Sequence, residues 1–264
     1  MRTALTGLPR YVTSIETAKH RWLTFLDASI RPDNMLTNVG LEDAWFLGVM
    51  SSRIHVVWAL AAGGRLGVGD DPRYNKAKCF DTLPFPDADE VTRRRVRALA
   101  ERPDAHRKAR QAAHPDLTIT GMYNVLAKLR SGEPLTDNER VTHDHALVAI
   151  LRELHDALDA GIVGAYGWPS DIHAEGILWK LVALNVERAA EESRNVIRWL
   201  RPEFQQPTPA AGEALTLGLT AIAPEQLAPA PVQWSATLSD RIAAVREALA
   251  RTEAAMSVAA MALQ

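Results

Sequence analysis

The 264-residue chain is 47% hydrophobic and carries seven tryptophans, enough material for at least one sizeable core and one or two domains, which excludes a disordered polymer. A formal net charge of −2 and a pI near 6.5 exclude whole-molecule attraction to an anionic partner, so any such attraction must come from local patches. Cys79 is the single cysteine, which excludes an internal disulfide framework; with no apolar run near ~18 residues and no signal-peptide core, the expectation is a soluble, cytoplasmic protein.

In chain order, Arg10 to Ile15 and Arg21 to Asp27 are rich in Tyr, Val, Trp and Phe and read as strands, with Asn34 to Val39 as a third. From Leu41 the period becomes helical. Phe46, Val49, Met50, Val57, Leu60 and Ala61 recur on one face, Glu42 and Asp43 favour the start, and Gly63-Gly64 provides the stop. That helix delivers a loop, Gly63 to Pro86, which crowds four glycines and four Lys/Arg before the exit Pro84-Phe85-Pro86. Helical sequence resumes there, since proline continues neither a central strand nor a helix.

Further on, Thr136-Asp137-Asn138-Glu139 is a capping box that predicts a helix from about residue 137, with Leu147, Ile150, Leu151, Leu154 and Leu158 as its apolar stripe. Gly161 and Gly164 weaken it before the turn Tyr166-Gly167-Trp168-Pro169. Another helix is expected from Ile172 to Leu200, using Leu178, Leu181, Val182 and Trp199. Six of the 15 prolines then fall between Pro202 and Pro231, which marks a linker or strap, and Leu238 to Ala250 reads as helical. The fold class is α+β: a small mixed module at 1–88, a mostly helical segment at 89–201, and a proline-rich strap ending in helices at 202–264.

Three chemistries compete for the glycine-rich loop. A dinucleotide cradle needs G-x-G-x-x-G between a strand and a helix, whereas these glycines follow a helix at other spacings. Asp71-Pro72-Arg73-Tyr74 resembles the Asp/Asn-Pro-Pro-aromatic loop of amino-group methyltransferases, but Arg73 stands where the second proline belongs and no upstream glycine turn is present to hold S-adenosylmethionine. Contact with nucleic acid fits the residue types better. Arg65, Arg73, Lys76 and Lys78 can neutralise phosphates, and Arg73 and Asn75 belong to the types that make bidentate contacts with guanine or adenine edges. Downstream, Arg93 to Arg110 holds eight Lys/Arg, Arg93, Arg94 and Arg95 among them, against Glu101 and Asp104, a local excess of +6. On charge alone, phosphate binding and a solvated helix face both account for that run.

Other candidates carry less. His143, His145 and His155, beside Asp144 and Asp156, match no zinc or H-E-x-x-H spacing and read as solvated or capping residues. Ser51 and Ser52 precede His55 without a G-x-S-x-G elbow, so no catalytic nucleophile is assigned.

A resemblance runs through Leu8-Pro9-Arg10-Tyr11, Thr17-Ala18-Lys19-His20-Arg21, Gly48-Val49-Met50-Ser51-Ser52-Arg53-Ile54-His55-Val56-Val57-Trp58, Gly64-Arg65-Leu66, Arg73-Tyr74-Asn75 and Leu83-Pro84-Phe85-Pro86. Together these stretches are similar to the target-recognition region of large class I S-adenosylmethionine-dependent, adenine-specific DNA methyltransferases of type II restriction-modification systems. Thr120 to Leu126, Leu154 to Asp156, Ala165 to Pro169 and Arg198 to Pro202 resemble the helical segment that follows it. The resemblance implies contact of this loop with double-stranded DNA, with Arg73, Tyr74 and Asn75 where recognition is expected and Arg65, Lys76 and Lys78 as phosphate contacts by residue type, and it makes Ser51, Ser52 and His55 structural or backbone-contacting. It also implies that the glycine motif and the Asn-Pro-Pro-Tyr loop, absent from these residues, belong to catalytic sequence elsewhere. The expectation is therefore a C-terminal or separately encoded recognition part with no cofactor of its own, S-adenosylmethionine being held by the missing catalytic domain, which a separate partner would carry. The contrasting expectation is a helical scaffold or protein-interaction fragment without DNA affinity.

Overall fold

The computed structural model describes residues 2–66 and 71–201. The expected strap and terminal helices at 202–264, and Gly67 and Gly69 of the loop, lie outside the described residues. Met1–Val196 make one compact unit and Ile197–Gln264 a second.

A short helix, α1 (Arg2–Leu5), precedes three antiparallel strands, β1 (Arg10–Ile15), β2 (Thr24–Asp27) and β3 (Leu36–Val39), in spatial order β2-β1-β3. Val12 lies between Phe25 and Val39 in register. As the central strand, β1 buries Tyr11, Val12, Thr13 and Ser14 on both faces, so its two hydroxyls need internal partners. Thr13 Oγ1 donates to Asn38 Oδ1 at 2.8 Å and Ser14 Oγ to the Trp22 carbonyl at 2.8 Å. The second expected strand is shorter than its apolar run because Arg21, at its start, turns inward to bind main-chain carbonyls.

The helix expected over 41–62 is two helices, α2 (Ala44–Ser51) and α3 (Arg53–Ala62), bent by 61°. Both starts are capped from the sequence. Asp43 Oδ1 accepts from Trp45 N at 2.8 Å, and Ser52 takes an extended conformation (φ −75°, ψ 158°) so that its Oγ accepts from His55 N. A serine at a cap competes with the helix, and here that local bond breaks the apolar run in two. Among the described residues no single helix is long and apolar enough to cross a membrane. The apolar α2–α3 pair owes its composition to burial: Trp45, Leu47, Val49, Met50, Ile54 and Trp58 are all core.

Gly63 ends α3 and leads into a hairpin, β4 (Gly64–Leu66) with β5 (Asp71–Arg73), followed by a π-helical turn over Lys76–Phe80. Five helices complete the unit: α4 (Glu90–Ala113), α5 (Ile119–Ser131), α6 (Asp137–Ala146), α7 (Val148–Ala165) and α8 (Ala174–Glu192). Helix α4 passes close to two glycines. A Cβ on Gly48 would stand 2.9 Å from Val96 Cγ1, and one on Gly161 2.8 Å from Leu99 Cδ1, so both positions let α4 nest against α2 and α7.

The capping box is present, with Thr136 and Glu139 exchanging bonds at the start of α6. The helix does not continue through the expected stripe. Leu147 is left-handed (φ 47°, ψ 54°) and separates α6 from α7, leaving Leu147 and Ile150 exposed while Leu151, Leu154 and Leu158 are core. Helix α8 stops at Glu192, short of the expected Leu200, and Trp199 is exposed. His155, expected on a solvated face, is buried: its Nε2 accepts from the Tyr123 hydroxyl at 2.8 Å, and Tyr123 in turn accepts from Arg107 Nη1 at 2.8 Å. Burial pushes the His155 pKa down to about 3, so the ring is neutral.

Candidate nucleic-acid interface

The basic loop is held on α3 from beneath. Cys79, wholly buried, sets its thiol 3.7 Å from the Ala59 carbonyl, and the ideal Cβ of Gly63 would lie 2.5 Å from that same carbonyl. Glycine at 63 is thus required by close packing. Asn75 caps the π turn, its main-chain carbonyl accepting from Cys79 N at 2.7 Å and its Oδ1 from Lys78 N at 3.3 Å. The turn in turn carries Lys76 and Lys78 on its outer surface.

Tyr74 does not face outward. It is 3% exposed, its amide donates to the Glu16 carbonyl at 2.7 Å, and its hydroxyl donates to His55 Nε2 at 3.0 Å. His55 is fully buried and gives its one ring N–H proton, on Nδ1, to the Met50 carbonyl at 2.5 Å. That pair fixes the neutral Nδ1–H tautomer, and burial lowers the His55 pKa to about 4. Above the phenol lies Arg21, its guanidinium 5.0 Å from the ring centroid and Nη2 3.2 Å from the Pro72 carbonyl. Tyr74, expected among the DNA-contacting residues, is placed inward: its ring lies under Arg21, its hydroxyl on His55 and its amide on the Glu16 carbonyl, and it anchors the loop.

The consequence for its neighbours is geometric. With Tyr74 pinned inward, Arg73 and Asn75 on either side are exposed. Arg73 Nε donates to Glu16 Oε1 at 2.5 Å. Lys76 pairs with Asp81 at 2.7 Å, whereas the Lys78 ammonium has no partner among the described residues. Arg65 is exposed and stands opposite Pro72 in the hairpin register, one pair beyond Gly64 and Arg73. The structure thus brings Arg65, Arg73, Asn75, Lys76 and Lys78 onto one short ribbon and turn.

The Asp71–Tyr74 lookalike is built into the fold by its own contacts. Its tyrosine is spent on His55, its backbone is paired to Ala18, Glu16 and β4, and both sheets among the described residues are antiparallel, without the parallel strand-turn-helix that a cofactor cradle needs.

The basic run on α4 separates into two sets. Arg97 binds Asp43 through two 2.8 Å bonds and Glu90 at 2.5 Å; Arg107 is 3% exposed and bonds Leu23 O, Tyr123 and Asp104; Lys108 reaches Phe25 O and Asp104; Arg110 reaches the His145 carbonyl. Burial alone would raise the Asp104 carboxyl, but Arg107, Lys108 and Thr24 hold it below its usual range. Arg93 is half-buried against Trp45, with Nε on the Ala88 carbonyl at 3.0 Å. What remains exposed is Arg94, Arg95 and Arg102, which share about 100° of helix arc. Most of the +6 excess ties α4 to the sheet and α2, and three arginines form an outward stripe.

Against this geometry the likeness to known proteins can be placed. A family model described as the MmeI target recognition domain matches residues 9–87. That match covers under a third of the chain, and it is a likeness of residues 9–87 to that recognition-domain family. The segment spans the three-stranded sheet, α2, α3, the hairpin and the Pro84-Phe85-Pro86 exit. DNA methyltransferase A of Bacillus subtilis (strain 168) is 32% identical over 68 residues, 26% of this chain and 7% of that protein. The fold is also that of part of MmeI, a type IIL restriction-modification enzyme solved in complex with DNA, at a TM-score of 0.53 and 17% identity, covering 69% of this chain and 22% of that one. That coverage extends the structural likeness beyond the recognition domain into the helices. The chain thus spans less than a quarter of the length of either relative.

Sequence reasoning passed over Glu16. It lies 57 residues from Arg73, and nothing local marks it. Arg21 and His55 stood within the resembling motifs, but only the fold shows that both act on Tyr74.

Proposed function

We propose that residues 9–87 read double-stranded DNA for a restriction-modification methyltransferase that modifies adenine at N6, the catalytic domain and its S-adenosylmethionine being supplied by sequence other than these 264 residues, in the cytoplasm. One observation carries the reading: in a segment that matches the recognition-domain model, Arg73 and Asn75 stand exposed on both sides of a locked Tyr74. In this account Arg73 and Asn75 read base edges, because a guanidinium fork or an amide can make two directional bonds to guanine or adenine. Arg65, Lys76 and Lys78 contact phosphates flanking the site, and Arg94 and Arg95 on α4 add charge without choosing sequence. Arg93 contributes to packing on Trp45 first.

The test is a fluorescence-anisotropy titration of a mixed-sequence duplex with the full chain over a series of salt concentrations. Binding whose log affinity falls linearly with log salt is expected. No binding at low salt would favour a scaffold without DNA affinity.

A further inference from the structure

Glu16 lies one residue past β1, and both its backbone and its side chain meet the exposed end of the hairpin. Its carbonyl accepts from Tyr74 N at 2.7 Å, Thr17 next to it bridges to Arg73, and its Oε1 accepts from Arg73 Nε at 2.5 Å. Glu16 is itself fixed, since Arg21 ties the carbonyls of Ile15 and Pro72 together just behind it. The carboxylate takes the Nε edge of the guanidinium. Nη1 and Nη2 are left without a partner among the described residues, and the Arg73 side chain is 47% exposed. Those two nitrogens form the fork that meets O6 and N7 of a guanine in the major groove.

An ion pair this exposed adds little to the stability of the fold, so stability does not explain it. An arginine on a surface loop otherwise spreads over many rotamers, and each must be frozen when a base is bound. A carboxylate on Nε removes much of that freedom in advance and aims the fork.

We propose that Glu16 is a specificity-determining positioning residue, which holds Arg73 by Nε so that its Nη1–Nη2 edge is presented to a guanine in duplex DNA. The inference rests on the DNA-reading role of residues 9–87. It goes further in naming the base and the residue that orients the reader.

The experiment selects bound duplexes from a random pool with the full 264-residue chain as wild type, Glu16→Ala, Glu16→Gln, Arg73→Ala and the Glu16→Ala/Arg73→Ala double variant. Thermal midpoints and the affinity for an unselected duplex are measured alongside. Wild type should enrich a G·C pair at one position. Glu16→Ala should lower that preference about tenfold, with unchanged midpoint and no loss of affinity for unselected DNA. Glu16→Gln, which retains an acceptor oxygen, should keep most of the preference. The double variant should match Arg73→Ala alone. If Glu16→Ala keeps the G·C preference, or weakens all duplexes alike while lowering the midpoint, the positioning role is overturned and the recognition reading stands. If Arg73→Ala itself leaves the enriched sequence unchanged, base reading by Arg73 fails and this inference falls with it.

Discussion

The Tyr74 hydroxyl donates to His55 Nε2 at 3.0 Å, so a single imidazole joins the basic loop to the carbonyl of Met50 at the end of α2. The bond requires a neutral ring. His55 has its pKa lowered by burial to about 4, and His155 to about 3, whereas an unfolded histidine titrates near 6.5. Stability from both is therefore fully present above about pH 6.5 and is lost as pH falls toward the folded values. Between pH 7 and pH 5 the chain should lose roughly 2–3 kcal/mol net, because Asp159 acts in the opposite sense. Urea unfolding at the two pH values checks this, and equal midpoints would contradict it.

Asp159 accepts from Arg53 N at 2.6 Å and so adds a second cap to α3, from α7. Burial raises its pKa to about 6. A carboxyl raised above its unfolded value costs stability once it is charged, and that cost appears as pH climbs from about 4 through 6. Asp159→Asn retains the acceptor oxygen. It should stabilise the chain at pH 7.5 by roughly 1–2 kcal/mol, allowing for partial solvation of the carboxylate, and leave it unchanged near pH 4. A loss of stability at pH 7.5 would mean that the charge on the cap outweighs its burial.

On α4 the arginines should behave as two populations. Replacing Arg94, Arg95 and Arg102 by Ala should flatten the salt dependence of DNA binding by up to about one unit of slope per contact, with little change in thermal midpoint. Arg107→Ala should do the reverse, destabilising by about 3 kcal/mol, since it removes a buried guanidinium that bonds Asp104, the Tyr123 hydroxyl and the Leu23 carbonyl, leaving Asp104 to Lys108 and Thr24 alone. Equal effects of both sets on the midpoint would refute the division.

The chain alone should neither bind S-adenosylmethionine nor transfer a methyl group, because Tyr74 is committed to His55 and the Asp71–Tyr74 backbone is paired. Calorimetric titration with the cofactor and a methyl-transfer assay on mixed-sequence duplex decide it. Turnover would overturn the structural role given to Tyr74.

The parts legible in the sequence are those governed by neighbours along the chain. Strand β1 follows its residues from Arg10 to Ile15, and Thr136 with Glu139 starts α6 where the capping box demands. The breaks at Ser52 and Leu147 were hidden because apolar periodicity persists across both, and only the cap bond of Ser52 and the left-handed backbone of Leu147 interrupt it. Burial of Tyr74 was hidden for another reason. Its partners Glu16, Arg21 and His55 come from three separate segments, so an exposed-looking Arg-Tyr-Asn stretch reveals its inward residue only after folding. The basic run of α4 misled in the same way: Asp43, Leu23 and Phe25 claim its charges from a distance.

The measurement that most directly tests DNA reading by residues 9–87 is selection of bound duplexes from a random pool, comparing wild type with Asn75→Ala and Lys78→Ala, each alone and with a supplied methyltransferase domain. Wild type should enrich one defined sequence. Asn75→Ala should change the base accepted at a single position, with discrimination there reduced by roughly 1–3 kcal/mol, while Lys78→Ala should bind more weakly and enrich the wild-type sequence. A wild-type pool that stays random in both settings, or one that no variant alters, would contradict the account.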